Sequence, residues 1–230
     1  GGYQIRIFRS ENITGPYVDE AGNSAVYTSQ ENNLFTNIGV RIMGSYDWSG
    51  NRETRVAQGH NSAYVSEDGE IYMVYHSRFA EGKNGITEAH EVRVQQLFVN
   101  EAGWLVAAPY EYTGEHISKT GYDMEQMCGE YEFIIHTPTT YYQKAGKATV
   151  GIMQPSHIML NEDGSVTGEL TGSWTYEEGS PNMTITLEDI TYQGVFLKMP
   201  SEKLYFNQKQ REVVMTFTVL GNNVTAWGSK

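Results

Sequence analysis

Gln58-Gly59-His60-Asn61-Ser62-Ala63 leads through Glu67-Asp68-Gly69-Glu70 into Ile71-Tyr72-Met73-Val74-Tyr75-His76-Ser77-Arg78-Phe79. The second run is rich in β-branched and aromatic residues, and a glycine-containing turn joins it to the first. The spacing therefore predicts a β-hairpin with His60 at its entrance. Gly59 beside an imidazole and two small polar side chains suits a backbone that must come close to a ligand or ion.

Outward from that hairpin the chain keeps reading as short strands. Upstream, Gly1 to Phe8 alternates as a half-buried strand, and Val40 to Tyr46 is a second candidate after the turn chemistry of Gly15-Pro16-Tyr17. Downstream, Glu91 to Val99 and Trp104 to Ala108 flank the turn Asn100-Glu101-Ala102-Gly103. Around Pro109 to Thr120 the pattern gives way to a polar connection, which divides the chain into residues 1–113 and 114–230. Past one possible helical turn at Tyr122–Met127, the second part reads as strands at 130–136, 148–153, 157–160, 165–170, 172–176, 183–187, 191–198, 212–220 and 224–227. Their turns include Asn161-Glu162-Asp163-Gly164 and Gly221-Asn222-Asn223. The expectation is an all-β chain, propeller-type hairpins followed by a small barrel or sandwich.

A formal net charge of -12 argues against nucleic acid, since phosphate binding needs a basic patch that nothing in this sequence supplies. No apolar run approaches the roughly 18 residues of a membrane helix, so no membrane partner is expected, and the first residues do not read as a signal peptide. Cys128 stands alone, so an intrachain disulfide is not possible.

Several side chains are candidates for chemistry. His60 can be read as a hydrogen-bonded structural histidine or as a ligand to a metal or substrate. His76 and Arg78, two apart on a strand, share a face, whereas His90 and Arg93, three apart, point to opposite faces. Arg93 could hold a sugar hydroxyl or join a cross-strand ion pair. Trp48, Trp104, Trp174 and Trp227 would suit sugar stacking or core packing alike. Glycosidic hydrolysis needs two carboxylates flanking the bond. Asp47, Glu53, Glu67, Asp68, Glu70, Glu88 and Glu91 provide no evident acid and base pair.

Read together, Gly1 to Ser10, Thr14 to Asp19, Gly59-His60-Asn61-Ser62-Ala63, His90 to Phe98 and Gly103-Trp104 with Ala107 to Tyr110 resemble the later part of a glycoside hydrolase family 43 arabinanase. Val214 to Thr218 and Thr225 to Gly228 are similar to the β-barrel that follows the propeller in two-domain, extracellular members. The resemblance implies the last blades of a five-bladed propeller over 1–113 and a lipocalin-like barrel over 114–230. It also implies hydrolysis of α-1,5-linked L-arabinan with inversion, by an Asp base, a second Asp and a Glu acid that all lie upstream of the matched segment. His60 matches a histidine that reaches a metal ion, expected to be Ca²⁺, and Asn61, Ser62 and Arg93 become substrate-binding candidates. The expected partners are an N-terminal part of the same enzyme, cleaved or split from this chain, and arabinan itself, and the chain alone is expected to be inactive. A non-catalytic carbohydrate-binding β module is the alternative, and a relative acting on xylan or arabinoxylan side chains a third reading.

Overall fold

A computed structural model describes residues 3–26, 36–50, 53–87, 89–138, 142–144, 147–203 and 211–230, with the backbone alone for 142–144 and 147–150. The strands are β1 (Ile5–Ile7), β2 (Val40–Met43), β3 (Arg55–Val65), β4 (Ile71–Phe79), β5 (His90–Val99), β6 (Leu105–Ala107), β7 (Gly129–Ile135), β8 (Tyr142–Lys144), β9 (Lys147–Val150), β10 (Ser156–Leu160), β11 (Ser165–Gly168), β12 (Gly172–Tyr176), β13 (Asn182–Leu187), β14 (Ile190–Pro200), β15 (Val213–Gly221) and β16 (Val224–Ser229). One short helix, α1 (Met124–Met127), precedes β7. The all-β class expected from the sequence is the observed one.

Strands β3 to β6 form an antiparallel meander in chain order, the form of a propeller blade, with β3 at its edge. The turn into β4 is closed by Gly69 N–H donating to the Ser66 carbonyl and by Glu70 N–H donating to Ser66 Oγ. His60 does not stand at the entrance to this hairpin, as the sequence reading had it, because β3 begins five residues earlier, at Arg55. The early start is hidden in the sequence by two backbone irregularities between Val56 and Ser62 that break the side-chain alternation.

Strands β7 and β10 to β16 close into an eight-stranded antiparallel barrel, the last strand pairing back onto the first through Ala226–Ile135 to Ser229–Glu132. Closure removes both sheet edges. Alternation sends Tyr131, Phe133, Trp174, Phe196 and Phe217 to the inside, where their rings pack edge to face or tilted and fill the barrel. The strand expected over 148–153 ends at Val150 and pairs with β8, outside the barrel wall.

Outward-facing Ile134, Val195, Leu197, Met199, Leu220 and Trp227 share a second core with Tyr46, Trp48, Tyr75, Leu97, Trp104 and Tyr110. The blade is therefore packed on the barrel wall. Strands β1 and β2 pair with each other, and β2 touches β16 in parallel at Arg41–Val224. The β15–β16 turn adds a polar anchor: Asn223 Nδ2 donates to Asp19 Oδ2 at 2.9 Å, and Glu20 Oε2 accepts from Asn223 N–H at 2.7 Å.

Candidate functional site

The local conformation that presents His60 is costly. Ala57 and His60 take the left-handed backbone region, at φ of 56° and 51°, where a side chain is disfavoured by about 1–3 kcal/mol. Ser45 Oγ accepts the Ala57 N–H at 3.0 Å, satisfying a donor that the first irregularity takes out of the ladder. A Cβ on Gly59 would lie 2.8 Å from Tyr3 atoms, so only glycine lets Tyr3 lie across the strand here. Gln58 is completely buried, and neither polar atom of its carboxamide has a hydrogen-bond partner among the described residues.

His60 emerges exposed from this segment and faces His76, with ring centroids 6.2 Å apart. His76 meets His90 edge on at 5.2 Å and Tyr3 edge on at 5.2 Å. Arg78 Nε donates to His90 Nε2 at 2.9 Å, and the Arg78 guanidinium stands 5.8 Å above the Tyr3 ring. Three imidazoles thus cross β3, β4 and β5 in a row. Burial lowers the His76 pKa, and the neighbouring His90, Arg78 and His60 push it the same way, so protonation of this ring is disfavoured.

The strip lies on an open face. Val92, opposite His76 in the ladder, is 73 % exposed, and Tyr64 on the edge strand is exposed as well. Asn61 and Ser62 follow His60 and are exposed with it. Arg93 is not brought to them. It is 2 % exposed on the reverse face of β5, where it is paired with Glu202 and lies 3.2 Å from Glu91 Oε1 and 3.5 Å from Glu111 Oε2. The opposite facing of His90 and Arg93 follows from strand alternation, but the Glu202 partner comes from the barrel, and its position 109 residues away could not be read from the sequence.

The remaining candidates sort the same way. Trp48, Trp104, Trp174 and Trp227 are all buried, so none offers a stacking face. Glu53 is paired with Arg55 and Lys83, Glu91 with Arg55 and Arg93, and Glu70 accepts from the Tyr72 hydroxyl at 2.7 Å beside His116. Glu88 lies outside the described residues. Among the described residues no group of three or more His, Cys, Asp or Glu side chains is placed to hold a metal ion. An ion bound here would take a single imidazole from His60 and its other ligands from elsewhere, a donor set that fits a hard cation such as Ca²⁺ only as part of a larger oxygen-rich shell. Tyr3 is the member of this site that sequence reading missed. Its alternating run marked it as a strand residue, and nothing local showed that Gly59 makes room for it.

The chain is 38 % identical over 242 residues to the extracellular endo-α-(1→5)-L-arabinanase 2 of Bacillus subtilis (strain 168), covering all of this chain and 47 % of that protein. It is 36 % identical over 238 residues to the extracellular endo-α-(1→5)-L-arabinanase of Thermotoga petrophila, covering 99 % of this chain and 46 % of that one. The chain thus spans about half the length of these relatives, in their C-terminal part. The solved structure of a family 43 glycoside hydrolase from Bacillus licheniformis superposes with a TM-score of 0.81 at 34 % identity, over all of this chain and 49 % of that one. Residues 109–228, just over half the chain, match the family described as GH43_C, C-terminal lipocalin-like domain, and they take in the closed barrel and the connection before it. This chain therefore belongs to the GH43_C family of C-terminal lipocalin-like domains.

Proposed function

We propose that this chain is the C-terminal part of an extracellular, arabinan-degrading family 43 glycosidase, in which His60 is an ion ligand and the rest of the protein supplies the acid and the base. The observation that carries the reading is the open face of β3, β4 and β5, where a strained strand holds His60 in line with His76 and His90 beside exposed Val92 and Tyr64. Exposed Val92 and Tyr64 beside the edge strand β3 call for a covering layer. In a propeller the neighbouring blade supplies that layer and the innermost strands line the central channel. Relatives named as arabinanases, twice as long as this chain, support the choice of substrate.

Each residue has a role in this arrangement. His60 offers an imidazole nitrogen to the ion, and the burial that lowers the His76 pKa disfavours a further positive charge beside it. Bound there, a divalent cation supplies fixed positive charge beside the substrate. Asn61 and Ser62, exposed next to His60, would hydrogen-bond sugar hydroxyls. Arg93 serves them from behind by fixing β5 to the barrel. Inverting hydrolysis needs two carboxyl groups roughly 6.5–9.5 Å apart with water between them. The ion-paired Glu53 and Glu91 of this chain do not meet that need. The reading of the chain as a free-standing carbohydrate-binding module has less support, because its four tryptophans are buried.

The test is hydrolysis of linear arabinan by the 230-residue chain with and without a co-expressed N-terminal part. Activity is expected only from the pair, and product analysis against arabinoxylan separates the xylan-directed reading. His60→Ala should lower activity of the pair at least tenfold and reduce its metal content, with the unfolding midpoint of the chain unchanged. Robust hydrolysis by the chain alone, or full activity of the variant after chelator treatment, refutes the assignment.

A further inference from the structure

A groove of about 610 Å³ runs between the β3–β4 turn, the end of β5, the connection around His116 and the barrel strands β13 and β14. That volume is within the roughly 300–1,000 Å³ of small-molecule sites. Its apolar surface comes from both halves of the chain, with Val99 from the blade and Pro181 from the barrel. Its polar rim mixes acceptors with donors: the Asp68 and Glu70 carboxylates together with His116 and Lys119. Tyr72 donates to Glu70 Oε2 at 2.7 Å and His116 Nδ1 lies 3.0 Å from Glu70 Oε1, so the carboxylate is fixed in place. These two hydrogen bonds, Tyr72's the larger, hold its pKa below the usual carboxylate range.

Gln96 is the second, independent observation. It also lines the groove, is 2 % exposed, and its Oε1 has no hydrogen-bond partner among the described residues. A buried carboxamide acceptor without a donor costs free energy that a hydroxyl delivered from the groove would recover. A ligand that meets closely spaced donors and acceptors while laying C–H faces on Val99 and Pro181 is a neutral polyol ring.

We propose that this groove is a secondary saccharide-binding site, distinct from the His60 strip, that takes a short stretch of arabinan and spans blade and barrel. The ligand identity rests on the arabinan reading above, whereas the site rests on the groove alone. Gln96 Oε1 accepts a sugar hydroxyl, the Glu70 carboxylate and His116 orient a second, and occupancy ties the two halves together.

Calorimetric titration of the 230-residue chain with linear α-1,5-arabino-oligosaccharides, and with xylo-oligosaccharides for comparison, tests this. Saturable binding of the arabino-oligosaccharide is expected, weakened about 5–10-fold by Gln96→Leu and by His116→Ala, the size of one lost hydrogen bond. Gln96→Leu removes the orphan acceptor, so its thermal midpoint should be unchanged or higher, and the exposed His116 can be cut back without risk to the fold. Absent binding, or binding that both variants leave intact, overturns the site even if the assembled enzyme hydrolyses arabinan. Selective binding of the xylo-oligosaccharide, lost in both variants, overturns the arabinan assignment instead.

Discussion

His136 gives the chain a stability that acid removes. The ring is fully buried just beyond β7, 4.1 Å edge on from Trp227, with Nδ1 accepting the Gly44 N–H at 3.2 Å and Nε2 without a partner among the described residues. Burial, with a smaller push from the Arg41 guanidinium, lowers its pKa from 6.5 to about 3. The unfolded chain therefore binds this proton between those two values and the folded chain does not. Neutral burial stabilises fully above about pH 6.5, and the contribution drains away at about 1.4 kcal/mol per unit as pH falls towards 3. From pH 7 to pH 5 the loss comes to about 2 kcal/mol. His136→Asn keeps an acceptor for the Gly44 N–H and removes the titration. Urea unfolding of both proteins at pH 7, 6 and 5 should show the wild-type advantage shrinking by about 2 kcal/mol over that range, while carboxylates common to both cancel in the difference. Parallel pH profiles would refute the assignment of a neutral, buried imidazole.

Other perturbations follow from the same contacts. Glu202→Ala takes the most buried of three carboxylates from the buried Arg93 guanidinium and should cost about 2–3 kcal/mol, whereas Lys83→Ala, which breaks the exposed pair with Glu53, should cost under about 1 kcal/mol; equal losses in urea unfolding would contradict the burial argument. Phe217→Ala removes a ring that touches Tyr131, Phe133 and Phe196 and should cost about 3–5 kcal/mol by the same measurement. Gly59→Ala drives a methyl into Tyr3 and should cost about 1–3 kcal/mol and shift the His76 ring resonances, with Tyr3→Ala in the same chain restoring most of the loss.

What the sequence made legible was local. Alternation placed most strands, and Asn222-Asn223 announced a hairpin whose two residues do take left-handed φ angles of 51° and 61°. Barrel and sandwich could not be told apart, because closure depends on β16 meeting β7 across most of the domain, and no short-range pattern encodes that pairing. Two glycines show why the closed form fits. A Cβ at Gly194 would fall 1.9 Å from the Thr218 carbonyl oxygen, and one at Gly228 would fall 2.1 Å from the Phe217 ring, so the wall can approach its neighbour and the ring can fill the interior only where side chains are missing. Of the candidate site, His60 with Asn61 and Ser62 was visible as a motif. The reverse face of β5 was not, since Arg93 finds its strongest partner in the barrel.

That reverse face explains why a filled barrel should accompany a blade at all. The blade has two faces with opposite demands: one stays open and carries the histidine strip on a strained strand, and the other is sealed by the barrel wall. Strain at Ala57 and His60 persists only where surrounding structure over-determines the backbone. Here the constraint comes from behind, through Ser45 on the Ala57 N–H and through Tyr46, which shares a core with Trp227 and Leu220 of the barrel. The Tyr110 hydroxyl donating to Ser229 Oγ at 2.8 Å and the buried pair of Arg93 with Glu202 fix the same junction. A boundary drawn in the sequence near residue 113 is therefore no boundary in energy: loosening the barrel wall should relax the strand that presents His60 before it unfolds the barrel itself.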